Sequence, residues 1–347
     1  MIGLGCWCYG AEAQSKSCTI EWCYAVQEIC YSNLVFGHRL NFVCSTFDTE
    51  FSGRTTQEDW QRTVETRSQP NFVNSVLNYH AHLALRTDGN KILNKISAEA
   101  QRYALLAYTL YLHDTRDPKD PRSGLTSTNL EKLCAKQKCA SPGRVRTYIG
   151  LMWIAGYLKR FQSPQDSRKI HFEPTKKLID NIEAWNQEIF KTIDLIFPGG
   201  ALATRHLNEP FFGSQMRIGG VAQCLSGLRP FDQFPEVYHF ISRDAGWMLL
   251  INCVGQTMRA PKENLTVSVS IDLAGFGKRY GVSRSHLRRL LESSFALGLL
   301  EEPPLNGTNI VLSRKLVAAY FTSMAAELQF YRRNALTGNA KIALAAE

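Results

Sequence analysis

Basic side chains follow a serine in two short stretches of the sequence. Arg144 and Arg146 follow Ser141, and Arg288 follows Ser283. A serine in front of a helical period is a typical N-cap, so these guanidinium groups fall in the first turns of two predicted helices. Guanidinium groups donate paired hydrogen bonds to phosphates and to base edges. The two stretches are therefore the first candidates for binding an anionic polymer.

Other candidate chemistry is weak. His80 and His82 lie on opposite sides of a strand, or about 200° apart on a helix, so shared metal ligation is not expected. Cys134 and Cys139 could form a redox pair, but Cys134 falls on the inward side of its predicted helix and is expected to pack there. The sequence has no Gly-rich loop that opens a helix to cradle phosphate, and no recognisable catalytic constellation. We therefore expect no enzymatic activity, no metal and no cofactor.

The composition is that of a folded protein with an anionic partner. The 347 residues are 44% hydrophobic and 20% charged, which excludes a disordered or fibrous chain and allows two or three domains. The formal net charge is +9. The longest apolar runs, at 148–158 and 246–255, are about half of what a bilayer crossing needs. We expect no membrane contact and a cytoplasmic location.

Cysteines concentrate at the N-terminus, where six of the ten lie within the first 44 residues. They are Cys6, Cys8, Cys18, Cys23, Cys30 and Cys44. Their spacings match no tetrahedral zinc pattern well, and residues 1–69 show no sustained helical or strand period. Two interpretations remain open: an unusual, redox-active extension, or a segment that does not belong to the folded protein. We favour the second, and expect residues 1–69 to be disordered or outside the native fold.

From residue 70 onward one pattern is written twice, with a period near 142. Ser141 and Gly156 are 15 residues apart, as are Ser283 and Gly298, and polar and apolar positions match between them. Predicted helices flank both copies, at 97–114 and 175–197 in the first and at 242–258 and 313–334 in the second. We call residues 97–197 the first copy and residues 242–334 the second copy.

Each copy predicts a short helix, a tight turn and a second helix. The apolar positions of these helices, which we expect to face inward, are Leu130, Leu133, Cys134, Val145, Ile149 and Met152 in the first copy and Leu273, Phe276, Tyr280, Leu287, Leu290 and Leu291 in the second. The outward positions of the second helices are small or basic: Gly143, Arg144, Arg146 and Thr147, and Ser285, His286, Arg288 and Arg289. A β-hairpin follows in each copy, and Asn306-Gly307 is a strong hairpin turn signal. Helix, turn, helix and hairpin together predict a winged helix-turn-helix.

The first copy resembles winged-helix transcription regulators of the MarR type. The resemblance rests on residues 133–135, on Ala140-Ser141-Pro142-Gly143-Arg144-Val145 and on Gly156-Tyr157-Leu158, while Asp166-Ser167-Arg168 resembles the wing of that family. The second copy is similar to bacterial winged helices in general and lacks the Asp-x-Arg wing. The resemblance implies DNA binding. Members of the family usually carry one unit per chain and dimerise, whereas this chain carries two.

Positive charge is concentrated on the two units. Residues 131–169 contain nine basic and two acidic side chains, net +7, and residues 276–315 contain seven and three, net +4. Since the whole chain carries +9, the other 268 residues carry −2. The excess charge lies where phosphates would be met.

The sequence therefore predicts a mainly α fold with small β-hairpin wings, organised as tandem winged helix-turn-helix domains. The domain limits are an N-terminal extension at 1–69, a first winged-helix domain at 70–197, a connecting segment at 198–241, a second winged-helix domain at 242–336 and a C-terminal tail at 337–347. The residues expected to contact DNA are Ser141, Gly143, Arg144, Arg146, Thr147, Arg168, Lys169, Ser283, Arg284, Ser285, His286, Arg288 and Arg289.

The predicted function is sequence-specific binding of double-stranded DNA, as a bacterial transcriptional regulator that acts as a single-chain pseudo-dimer. A homodimer and a small-molecule effector are both compatible with this prediction. Two alternatives stay open: a plasmid-type replication initiator, which is also a basic tandem winged helix, and a winged-helix module that docks protein without binding DNA.

Overall fold

The computed structural model describes residues 56–88, 90–97, 99–162, 169–260 and 267–345. These residues form a mainly helical fold with two small antiparallel hairpins, as the sequence predicts. The cysteine-rich segment, for which two interpretations were open, lies outside the described residues.

The elements of the first half run as follows: α1 Gln57–Ser68, α2 Phe72–Thr87, α3 Lys91–Ser97, α4 Ala100–Asp114, α5 Ser127–Lys136, α6 Pro142–Ile154, β1 Leu158–Gln162, β2 Ile170–Pro174 and α7 Lys176–Ile196. Those of the second half are α8 Leu202–Asn208, α9 Phe212–Ser226, a 3₁₀ turn at Pro230–Gln233, α10 Pro235–Ile241, α11 Gly246–Arg259, β3 Ser268–Val269, α12 Leu273–Tyr280, α13 Arg284–Ala296, β4 Ile310–Val311 and α14 Arg314–Ala345.

The same element order occurs in both copies: helix, extended segment, helix, helix and hairpin. In the first copy β1 pairs with β2, with Leu158 opposite Pro174, and the Phe172 N–H donates to the Leu125 carbonyl at 2.9 Å. In the second copy β3 pairs with β4, and Leu300 bridges to Leu312 across the hairpin. The extended segment in front of the middle helix thus joins the hairpin in each copy.

Two hydrophobic cores hold these elements together. The first lies mainly within the first copy, among side chains such as Leu105, Leu130 and Met152, and also includes Ile96 and Val221. The second collects the helices of the second copy together with residues 72–79 and 189–196 from the first half of the chain. Because the end of α7, which belongs to the first copy, packs in the second core, the two copies are joined through one hydrophobic core. The domain limits stated above remain predictions.

The expectation that residues 1–69 lie outside the fold is wrong for α1. Thr56 caps this helix, its side chain accepting from the Asp59 N–H at 3.1 Å. α1 packs along α14, where Arg67 donates to the Thr322 hydroxyl at 2.8 Å and Arg333 pairs with Asp59 at 2.7 Å. Its buried side chains are threonines, and Trp60 packs against the second core from a half-buried position. The helix therefore has no apolar period to reveal it.

Candidate nucleic-acid interface

The predicted capping serines open the two helices that carry the candidate contact residues. Ser141 Oγ accepts from the Arg144 N–H at 3.4 Å in front of α6, and Ser283 Oγ accepts from the His286 N–H at 3.1 Å in front of α13. The tight turn before α13 places Gly281 at φ +74°, a left-handed conformation that favours glycine. Both helices therefore begin where the sequence predicts.

The inward faces of both helix pairs are confirmed. Of the predicted positions, Leu133 is half-buried and the others are buried: Leu130, Cys134, Val145, Ile149, Met152, Leu273, Phe276, Tyr280, Leu287, Leu290 and Leu291. Burial of these apolar side chains fixes which face of α6 and of α13 remains outside.

Most of the predicted contact residues are exposed. On α13 and its cap they are Ser283, Arg284, Ser285, Arg288 and Arg289, and on α6 and its cap they are Ser141, Gly143, Arg146 and Thr147. Arg288 also lies near Glu292 one turn on, at 3.4 Å, and Arg146 lies 3.6 Å from Glu131. Such exposed pairs are weak, so these guanidinium groups can exchange a carboxylate for a phosphate.

Arg144 and His286 occupy the same position in the two copies, three residues after the capping serine, and both turn inward. Arg144 pairs with Glu99 at 2.6 Å and also donates to Gln101. The His286 ring bonds the Asp244 carbonyl oxygen at 2.9 Å. DNA contact by these two side chains remains a prediction, since both have partners within the protein.

One charge network joins these two attachment points. Arg102 lies 3.3 Å from Glu99 and 2.8 Å from Asp244, which also accepts from Lys95 at 3.3 Å. Burial of Glu99 raises its pKa, against the charges of Arg144 and Arg102. Burial opposes ionisation of Asp244 too, but the hydrogen bond and charge of Arg102, with Lys95, lower its pKa. The network therefore ties the first turns of α6 and α13 to one set of side chains.

Sequence reasoning missed Glu99, Arg102 and Asp244. Glu99 and Asp244 precede the first helices of the two copies and lie 145 residues apart, close to the period of the repeat. That spacing is the signal that could have found them. Their pairing through Arg102 is a tertiary contact, which the local spacing of residues cannot predict.

The two hairpins differ in charge. In the first, Lys159 pairs with Glu173 at 2.9 Å, Arg160 lies 4.9 Å from the Trp153 ring centre, and Lys169 is half-buried. Arg168, a predicted contact, lies outside the described residues, as does the loop around it. In the second hairpin Asn306 and Gly307 both have positive φ, as the predicted turn requires, and acidic residues 301–302 are exposed.

The outward face of α6 becomes apolar after its first turns. Leu151, Trp153 and Ile154 are 37%, 43% and 80% exposed. Large apolar groups exposed together on one short helix are typical of interaction surfaces. On α13 the equivalent region is less apolar, with Phe295 exposed behind the arginines.

The remaining sequence candidates occupy structural positions. His80 is buried against the Tyr320 hydroxyl at 2.8 Å, and burial lowers its pKa to about 3. Cys134 is buried, and hydrogen bonding with Cys139 raises the pKa of Cys134 and lowers that of Cys139.

Among the described residues no group of three His, Cys, Asp or Glu side chains could hold a metal. None of the described helices is long and apolar enough to cross a membrane.

Compared with known proteins, the chain matches no family model, no curated protein and no solved structure.

Proposed function

We propose that the protein binds specific sequences in double-stranded DNA as a bacterial transcriptional regulator, and that its two copies are winged helix-turn-helix units of a single-chain pseudo-dimer. In this proposal α6 and α13 enter successive major grooves, and the hairpins contact the backbone beside them.

The observation that carries the proposal is the outer face of α13. Arg284, Arg288 and Arg289 are exposed together directly after a capped N-terminus. A helix N-terminus attracts phosphate through its free N–H groups and dipole, and arginines in the first turns reach base edges. Basic side chains on an early, exposed helical face therefore combine both requirements of groove binding.

The shared network supports the second part of the proposal. Two recognition helices act together only when their spacing is held. Here the contact from Arg144 to Glu99, the bridge through Arg102 and the bond from His286 to Asp244 join the two helices within one chain. A homodimer obtains the same constraint from its interface.

Selection of bound sequences from random duplex DNA tests the proposal. We expect an enriched motif with two unlike half-sites about 10 base pairs apart or at a multiple of that spacing. At physiological salt the full chain should prefer this motif over random duplex of the same length by about 10³-fold or more. A chain that enriches no motif, or that binds both duplexes equally, is not a sequence-specific regulator.

A protein-docking module is the second candidate, and the exposed apolar face of α6 favours it. Binding in a DNA groove does not require Trp153 and Ile154 to be exposed on α6, whereas a protein partner would bury both side chains. In that case binding of the partner would be insensitive to salt, and the chain would not be retained on DNA.

A further inference from the structure

A cavity of about 340 Å³ lies between the two copies. Its walls come from α2, α3, α4, α7, α9, α10, α11 and α14, and from the turns at 137–139 and 229–232. Cavities of this size in protein interiors are typical of sites for small organic molecules.

Aromatic side chains form two of the walls. Tyr103 and Trp185 lie side by side with ring centres 5.5 Å apart, and the Trp185 N–H donates to the Tyr79 hydroxyl at 2.6 Å. Phe231 and Trp247 form a second pair with ring centres 5.9 Å apart. All five residues line the cavity. Aromatic faces carry negative potential and attract organic cations within about 6 Å of the ring centre.

Glu327 is the lining residue contributed by α14, and it is the one acidic residue in that helix. It forms no ion pair or hydrogen bond with any residue that the structure describes. A carboxyl group without a hydrogen-bond or ion-pair partner in an apolar cavity costs free energy in both its charged and its neutral form, unless a ligand supplies the partner. Burial raises its pKa to about 8.

We propose that this cavity binds an organic cation with an aromatic or bulky apolar body, whose ammonium group pairs with Glu327 between the aromatic walls. The proposal does not depend on DNA binding. Apolar walls take the body of the ligand, and the carboxylate supplies the single counter-charge that an ammonium group needs.

The other charged groups at the cavity have partners of their own. Arg86 donates to the Asn181 carbonyl at 2.9 Å, Arg229 donates to Gln137 at 2.9 Å and lies 3.7 Å from Asp232, and Glu99 is held by Arg144. Lys138 is exposed on the turn between α5 and α6.

The groups around Glu327 itself are phenols. Burial raises the pKa of Tyr79, Tyr103, Tyr320 and Tyr331, so they stay neutral through the range in which Glu327 titrates. The carboxyl group is therefore mostly protonated at pH 7, and an ammonium ligand must displace its proton. Cation affinity should rise between pH 6 and pH 8, with proton release on binding.

Calorimetry on the full chain tests this with three probes that share one ring system: tryptamine, the neutral tryptophol and the anionic indole-3-propionate. Tryptamine should bind at least about tenfold more tightly than either of the others, with a binding heat that depends on the ionisation enthalpy of the buffer. Equal binding of the three probes, or no binding of tryptamine at millimolar concentration, overturns the proposal.

Glu327→Gln should lower the affinity for tryptamine by about tenfold or more and abolish the buffer dependence, while affinity for tryptophol stays the same or rises. The matched control is Glu65→Gln, an exposed glutamate on α1, which should leave all three affinities unchanged. Melting curves establish that both variants are folded, and the comparison of the three probes on the unaltered chain needs no variant. Loss of tryptamine and tryptophol binding together in a folded Glu327→Gln protein contradicts the charge pairing.

Discussion

The two copies share an element order but present different outer faces. On α13 the exposed side chains of the first turns are Arg284, Ser285, Arg288 and Arg289, whereas on α6 they are Gly143, Arg146 and Thr147, followed by exposed apolar groups. Residues 131–169 of the first copy carry a larger net charge than residues 276–315 of the second, +7 against +4. The exposed basic groups of the first segment lie mainly on α5, the turn and the hairpin, at Lys132, Lys136, Lys138, Lys159 and Arg160. The net charge of these two segments and the charge on the exposed helix face thus rank the copies in opposite orders.

The different positions of the basic groups correspond to two kinds of DNA contact, to the backbone and to the bases. Basic groups on a hairpin or a turn reach phosphates, which position a protein but carry no sequence information. Basic groups on an exposed recognition helix reach base edges, where sequence is distinguished. We therefore expect the second copy to supply most of the specificity, and the first copy to supply backbone contacts.

The largest expected effect comes from removing the helix charge of the second copy. Arg288→Ala with Arg289→Ala should weaken binding of the full chain to its selected DNA by about 10²-fold, because the first copy must then bind without its tethered partner. The footprint should shrink to one half-site, and the slope of affinity against salt should fall by about two or more, because the phosphate contacts of the second half-site are lost with it. Titration of labelled duplex at several salt concentrations measures both.

A matched control for this variant removes two exposed, ion-paired lysines from α7, a helix that is not proposed to contact DNA. Lys176 pairs with Asp180 one turn on, as Arg288 does with Glu292, and Lys191 pairs with Glu188. Lys176→Ala with Lys191→Ala removes the same charge and should leave the footprint intact. If both double variants lose affinity equally, α13 is not a DNA-binding helix and the pseudo-dimer is wrong.

The second core differs from the first in surrounding the buried imidazole of His80. Burial lowers the pKa of His80 to about 3 in the folded chain, whereas the unfolded chain binds a proton there below about pH 6.5. Between these two values only the unfolded chain is protonated at His80. The stability that neutral His80 contributes is therefore fully present above about pH 6.5 and is lost as the pH falls below that value. Between pH 7 and pH 5 the free energy of unfolding should drop by about 2 kcal/mol from His80.

Urea unfolding of His80→Gln at the same pH values measures this contribution. The variant should lose about 2 kcal/mol less stability than the unaltered chain between pH 7 and pH 5, because glutamine does not titrate. His82→Gln, two residues on and 60% exposed, is the matched control and should keep the full acid sensitivity. An unchanged acid response in His80→Gln would place the sensitive group elsewhere.

Local chemistry made much of this fold predictable. The capping serines, the apolar faces and the Asn306-Gly307 turn depend on neighbours within a few residues, and all three are present. α1 was missed because Arg67 and the ion pair between Asp59 and Arg333 attach it to α14 in place of an apolar stripe. The inward turn of Arg144 and His286 could not be read either, because the groups that hold them lie more than 40 residues away in the chain.

The smallest expected effect distinguishes two neighbouring arginines on α6. Arg144 is 40% exposed and pairs with the nearly buried Glu99, whereas Arg146 is 65% exposed and lies 3.6 Å from Glu131. Arg144→Ala leaves Glu99 with Arg102 alone, and after discounting for solvent screening it should lower stability by about 1 kcal/mol. Its salt slope on DNA should stay unchanged, because that guanidinium already has a partner in the protein.

Arg146→Ala should do the reverse, with the same melting temperature and a salt slope smaller by about one. Arg144→Lys is the control for charge alone: it keeps one cation near Glu99 but loses the simultaneous contact with Gln101, so it should recover part of the stability. Melting curves and salt titrations of the three variants separate the two roles. A smaller salt slope in Arg144→Ala at an unchanged melting temperature would mean that Arg144 leaves the network to contact DNA.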